Sequence, residues 1–252
     1  MQPQETGPSP ALERVVTLGA SLTAGFGVGI EFASVFEALL TVDGEVESVV
    51  DVRFFLDPRG VGEKCMQRVL VLDPTLLCAI DFLFWFAYGD TEISGDGGDE
   101  VALRLDRLEQ GFELLERCTA IVVVGDFPDM SSAEGHMLRR SQIPSPAALR
   151  ALNERLQVWA GARDRVVVLP LSQRRELLRS TEGFRVGRVE IPAGSELLLA
   201  DELHPSHEGQ AAIALWIADL LVDAGLARVD EFRFDFEAVM DEWLARRESV
   251  IR

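Results

Sequence analysis

The chain has little of what the common ligand-binding and redox chemistries use. It holds three histidines, three cysteines, a single tyrosine (Tyr88), a single asparagine (Asn153) and a single lysine (Lys64). Acidic residues outnumber basic ones 42 to 24, for a formal charge of −18. A field of that sign repels phosphate backbones and anionic bilayers, which argues against nucleic acid and acidic membrane surfaces as partners. Cys65, Cys78 and Cys118 are odd in number, lie in or beside apolar runs, and have no C-x-x-C spacing. They are expected to be buried free thiols rather than disulfides or metal ligands, which suits a reducing compartment and a cytoplasmic location. No apolar stretch approaches the ~18–20 residues of a membrane span. The first ten residues lack the basic-then-apolar order of a secretion signal, so residues 1–12 read as a disordered tail and 13–252 as one domain.

Cofactor signatures are missing as well. The run Gly25-Phe26-Gly27-Val28-Gly29 is glycine-rich but fits neither the dinucleotide fingerprint nor the P-loop. Asp90, Glu92, Ser94, Gly95 and Asp96 begin like a calcium loop, yet the twelfth position is Val101 where a bidentate carboxylate is required. Neither nucleotide nor metal is expected, and no cofactor is implied.

What is present is enough apolar material for a full core: 252 residues with 48% hydrophobic content. Five short apolar runs, at 15–18, 49–55, 76–80, 120–124 and 166–169, are rich in β-branched residues and alternate with helix-like segments. Near-continuous runs of this kind suit parallel strands covered on both faces. Residues 101–117 place Val101, Leu105, Leu108, Phe112 and Leu115 along one helical side, with Arg104, Glu109, Glu113 and Glu116 elsewhere. Residues 210–224 repeat the pattern, ended by Gly225, and 230–252 read as a final helix with Phe236, Val239, Met240 and Trp243 as its stripe. The β-α alternation predicts an α/β fold, a three-layer α/β/α sandwich around a five-stranded parallel sheet.

Two segments carry chemistry. Ser21 follows the first apolar run among small residues, Gly19-Ala20-Ser21-Leu22-Thr23-Ala24-Gly25, which suits a tight turn exposing a hydroxyl at the sheet's ligand-binding edge. Nearly two hundred residues later the chain reads Asp201-Glu202-Leu203-His204-Pro205. Serine, histidine and aspartate are the parts of an activated hydroxyl nucleophile. Thr23 stands where the α/β-hydrolase elbow G-x-S-x-G needs its second glycine, so that motif fails. The three-residue spacing of acid and base lets one loop deliver both. The loops at 89–99 and 129–146 leave the same side and are expected to wall the site.

The pair of segments resembles the SGNH/GDSL hydrolase family, whose first block reads roughly G-D-S-L-T-x-G and whose last reads D-x-x-H-P. Ala20 replaces the first block's aspartate; Asp201, His204, Pro205 and Ser206 match the last. The resemblance implies a flavodoxin-like fold and hydrolysis of a carboxylic ester or thioester through an acyl-enzyme on Ser21. His204 would be the base and Asp201 its orienting acid. The substrate would be a small-molecule, glycan or lipid ester. It further implies an oxyanion hole made by the amides of Ser21 and of Gly62, with Gly60 as the second choice. The family's third block, G-x-N-D, supplies an asparagine donor that is absent here. Tyr88 or a loop backbone amide is the expected substitute donor, while Asp81, if ionised, would repel an oxyanion. The missing asparagine and Ala20 leave open a noncatalytic binding protein, and an acyltransferase would use the same residues.

Overall fold

The computed structural model describes residues 7–91 and 99–250. Its sheet has five parallel strands: β1 (Arg14–Gly19), β2 (Glu45–Val50), β3 (Leu76–Ala79), β4 (Ile121–Gly125) and β5 (Val166–Leu169). They lie in the order β2-β1-β3-β4-β5, the flavodoxin-like arrangement, whose switch point falls between β1 and β3. Eight helices accompany them among the described residues: α1 (Phe32–Leu39), α2 (Pro58–Leu72), α3 (Phe84–Tyr88), α4 (Glu100–Leu115), α5 (Pro146–Gly161), α6 (Leu171–Arg179), α7 (His207–Asp223) and α8 (Phe236–Val250). A small hairpin, β6 (Phe184–Val186) and β7 (Val189–Ile191), follows α6.

The pleat divides the core in two. Val16, Leu18, Leu77, Ala79, Val122 and Val124 point to the face covered by α2, α3, α4 and α5. Val15, Leu76, Cys78 and Val123 point to the face covered by α1, α6, α7 and α8. Alternate residues reach opposite faces, so strands apolar throughout need cover on both, and the three-layer α/β/α sandwich follows. Helix α7 is enclosed rather than amphipathic: Ile213, Leu215, Trp216 and Ile217 are all buried. It is capped by Ser206, whose hydroxyl accepts the Gly209 amide. The α8 stripe closes over α1, with Phe236, Val239 and Trp243 buried. The three cysteines are free and buried. No helix of the described residues is long and apolar enough to cross a membrane.

Three expectations are corrected. The second strand runs over 45–50, not 49–55; as an edge strand exposed along Glu45 and Glu47 it carries no apolar run, and Val52–Phe55 is a 3-10 turn capped by Asp51. Arg104 faces inward, not outward: it is 1% exposed, and its guanidinium collects the carbonyls of Ala87, Gly89 and Ser141 while pairing with Glu100. Within the segment read as a tail, Leu12 is buried and Ser9 donates its amide and hydroxyl to Glu231. Residues 1–6 lie outside the described residues, as does the Glu92 to Asp96 part of the calcium-like loop.

Candidate active site

Ser21 lies two residues beyond β1, in a run of turns that ends before α1. The turn closes on itself: the amide of Ala24 donates to the Ala20 carbonyl, Gly25 to Leu22 and Phe26 to Ser21. Gly25 has φ +68°, and a Cβ there would lie 1.7 Å from the Ile30 oxygen, so only glycine completes this turn.

The Leu197 to Ser206 loop brings the other two groups. It is pinned by the Leu199 amide on the His204 carbonyl, the Ser206 amide on Leu197 and a bridge between Leu198 and Pro205. Gly209 seats the first turn of α7 against it; a Cβ would lie 1.9 Å from the Leu197 oxygen. Glu202 takes φ +59°, an uncommon conformation for a side-chain-bearing residue. Arg175, 4% exposed, holds it there by donating to the Glu202 carbonyl, and it also donates to the Ser132 hydroxyl. Arg179 pairs with the Glu202 carboxylate.

The result is one hydrogen-bonded line. The His204 Nε2 lies 2.9 Å from Ser21 Oγ, and its Nδ1 lies 2.7 Å from Asp201 Oδ2. The carboxylate accepts the Nδ1 proton, which leaves Nε2 as the acceptor for the serine hydroxyl. Asp201 Oδ1 also accepts the amides of Leu203 and His204. Burial alone would raise the Asp201 pKa; the bonds from the His204 amide and ring and from the Leu203 amide outweigh it and hold the carboxyl below its ordinary range. The imidazole is 2% exposed and is covered by Phe26, with ring centroids 4.5 Å apart. His136 is exposed on the 129–146 loop, and His207 starts α7 against Trp243.

A cleft of about 60 Å³ opens at Ser21 and His204. Its walls are apolar, formed chiefly by Ile80, Phe84, Phe127, Met130, Leu171 and Leu203, with Asp81 and Asp126 as its carboxylates. Asp126 caps α6, accepting the Ser172 amide at 2.6 Å and the Ser172 hydroxyl. Burial pushes its pKa up against those bonds. Asp81 accepts the Thr23 hydroxyl at 2.5 Å and the Leu22 amide at 2.9 Å. Burial likewise raises its pKa, although the Thr23 hydroxyl and the amides of Ala20, Leu22 and Thr23 favour the charged form.

Other expected residues are not brought to the serine. Gly60 and Gly62 sit in the first turns of α2: the Gly60 amide donates to the cap Asp57, and Gly62 packs where a Cβ would lie 2.8 Å from Leu114 and 3.5 Å from Phe82 and Phe86. Asp57-Pro58, a cap followed by a first-turn proline, was the sequence signal that this glycine pair belongs to a helix. Tyr88 is fully buried and its hydroxyl is engaged, donating to the Pro128 carbonyl and accepting the Met130 amide. It supports the cleft wall instead of lining it, and its ring stacks on Phe84. Asn153, the single asparagine, clamps the Phe127 backbone from α5. The Ser21 amide donates to no acceptor among the described residues.

No protein-family model and no curated protein matches the chain. Among solved structures it is similar to a gut microbial diltiazem-metabolizing enzyme, with 13% identity and a TM-score of 0.54 over 88% of this chain and 48% of that one. It is also similar to the psychrotrophic esterase EstA from Pseudoalteromonas sp., solved inhibited by monoethylphosphonate, with 13% identity and a TM-score of 0.52 over 84% of this chain and 97% of that one. The chain spans about half the length of the first and nearly all of the second. What it shares with both is the fold, the three-layer sandwich around a parallel sheet.

Proposed function

We propose that the protein is a serine esterase that cleaves short-chain carboxylic esters or thioesters through an acyl-enzyme on Ser21. The observation that carries this reading is the line Ser21, His204, Asp201, with both heavy-atom separations inside hydrogen-bond range. A merely structural serine or histidine has no need of all three.

Ser21 Oγ attacks the ester carbonyl carbon as its proton passes to His204 Nε2. Asp201 steadies the imidazolium, and the unengaged Ser21 amide meets the developing oxyanion. Collapse of the tetrahedral intermediate breaks the bond to the alcohol, which takes the proton from Nε2. Water then repeats the sequence on the acyl-serine, its proton going to His204, and releases the acid with Ser21 restored. No group beyond these side chains and water enters the balance.

The cleft, about 60 Å³ and walled by Ile80, Phe84, Phe127 and Leu171, favours a short, apolar acyl group. That EstA, with the same fold, is an esterase supports the reaction class. Activated acetyl, butyryl, octanoyl and thioester substrates assayed beside Ser21→Ala test the proposal. Acetyl and butyryl turnover that vanishes in Ser21→Ala is expected. Turnover of every ester by a folded Ser21→Ala protein contradicts the serine mechanism, and preference for octanoyl contradicts the short acyl site.

A further inference from the structure

Asp81 is a half-buried carboxyl for which the reaction above has no proton to move. It follows β3 and lines the cleft beside Ser21. Its bonds nevertheless all go to the segment that carries the nucleophile. Oδ2 accepts the Leu22 amide at 2.9 Å and the Thr23 amide at 3.4 Å, and Oδ1 accepts the Thr23 hydroxyl at 2.5 Å. Beyond Thr23 the turn is closed by backbone carbonyls, which take the amides of Ala24, Gly25 and Phe26. The amides from Leu22 to Phe26 therefore all have acceptors, whereas Ser21's has none among the described residues.

The preceding glycine fits the same arrangement. A Cβ on Gly19 would lie 1.8 Å from Asp81 Oδ1 and 2.3 Å from Thr23 Oγ1, so the carboxylate occupies the space that glycine leaves. Among the described residues no other hydrogen bond joins the end of β3 to this turn, and a carboxylate with three converging donors is a stiff link.

We propose that Asp81 is the positioning residue of the nucleophile: by taking the Leu22 and Thr23 amides and the Thr23 hydroxyl that directly follow Ser21, it folds the turn so that the serine hydroxyl faces His204 and the Ser21 amide stays open for an oxyanion. The inference rests on the esterase reading for its catalytic consequence, but not for its geometry. It also assigns the glycine at position 19 to the carboxylate from β3 and not to chain reversal.

Two measurements on Asp81→Ala, Asp81→Asn and Thr23→Val separate the two claims. Amide hydrogen exchange reads the geometry without any substrate. The Leu22 and Thr23 amides should exchange roughly ten- to a hundredfold faster in Asp81→Ala, the span expected for losing a bond to a charged acceptor. They should stay protected in Asp81→Asn, whose carboxamide oxygen still accepts while its nitrogen donates to the Thr23 hydroxyl. The rate of covalent labelling by a fluorophosphonate reads the consequence. Asp81→Ala should label about a hundredfold more slowly, the cost of misplacing a reacting group by about an ångström, with Asp81→Asn restored to within about tenfold of the parent. Thr23→Val, which keeps the carboxylate and its amide donors, should stay protected and reactive. If Asp81→Ala does not fold, the other two decide: exchange in Asp81→Asn or Thr23→Val that matches the parent supports the anchor. Leu22 and Thr23 amides unprotected in the parent, or a folded Asp81→Ala labelling at the parent rate, overturn it. A parent protein that never labels defeats the esterase reading alone and leaves the exchange result to judge Asp81.

Discussion

Asn153 grips Phe127 from both sides: its Oδ1 accepts the Phe127 amide at 2.8 Å and its Nδ2 donates to the Phe127 carbonyl at 2.8 Å. The single asparagine of the chain thus serves the cleft through the backbone of its wall, across the gap between α5 and the end of β4. Replacing it by leucine strands a half-buried N–H and C=O, each worth about 1–3 kcal/mol. Asn153→Leu should lower Tm by several degrees and reduce kcat, because Phe127 lines the site; calorimetry beside acetyl-ester kinetics checks both.

Tyr88 does comparable work from α3. Tyr88→Phe removes the bond to the Pro128 carbonyl and the acceptor of the Met130 amide, so stability should fall by about 1–3 kcal/mol while kcat changes little. Urea titration and steady-state kinetics give the two numbers. A large fall in kcat without loss of stability would instead make the hydroxyl an oxyanion donor.

The orienting acid should be less critical than the base. His204→Ala is expected to lose nearly as much activity as Ser21→Ala, and Asp201→Asn to be less damaging by roughly two orders of magnitude, the pattern of groups that act as a unit. Fluorophosphonate labelling rates rank the three. Equal losses in Asp201→Asn and His204→Ala would contradict it.

Asp201 also carries a pH signature. Its folded-state pKa lies below the ordinary 3.8, so the stability its ionisation supplies is present above that value and is lost as pH falls through the folded pKa. The Tm difference between the parent and Asp201→Asn should be constant near neutrality and shrink below about pH 4. A difference that grows on acidification would reverse the assignment.

With the Ser21 amide open but Gly62 locked in a helix, the protein should be slow, since each missing oxyanion donor costs roughly 10²–10³ in kcat. A kcat/KM on activated acetyl esters below ~10⁴ M⁻¹s⁻¹ is expected. Gly62→Ala, whose amide stays in α2, should leave that value unchanged.

The parts of this site that depend on local order were legible in the sequence. Ser21 sits in a turn specified by its own glycines, and Asp201 and His204 ride one short loop, so their types and spacing sufficed. The parallel sheet and its three layers followed from apolar runs covered on two faces. What escaped were roles decided across the fold. Asp81 and Asn153 act on backbones 58 and 26 residues away, and no spacing signals that. Arg104 looked solvated because its charge hid the stripe Arg104, Leu108, Leu115 at helical spacing; the carbonyls that accept from it come from the end of α3 and from Ser141. The β2 boundary failed because an edge strand with glutamates outward has no run to read.

The central claim is that Ser21 is an activated nucleophile, and intact-protein mass spectrometry after fluorophosphonate treatment tests it most directly. The parent should gain one phosphonyl adduct, mapped to the peptide containing Ser21, while folded Ser21→Ala and His204→Ala proteins gain none. An unmodified parent, or an adduct that persists in Ser21→Ala, would contradict the account.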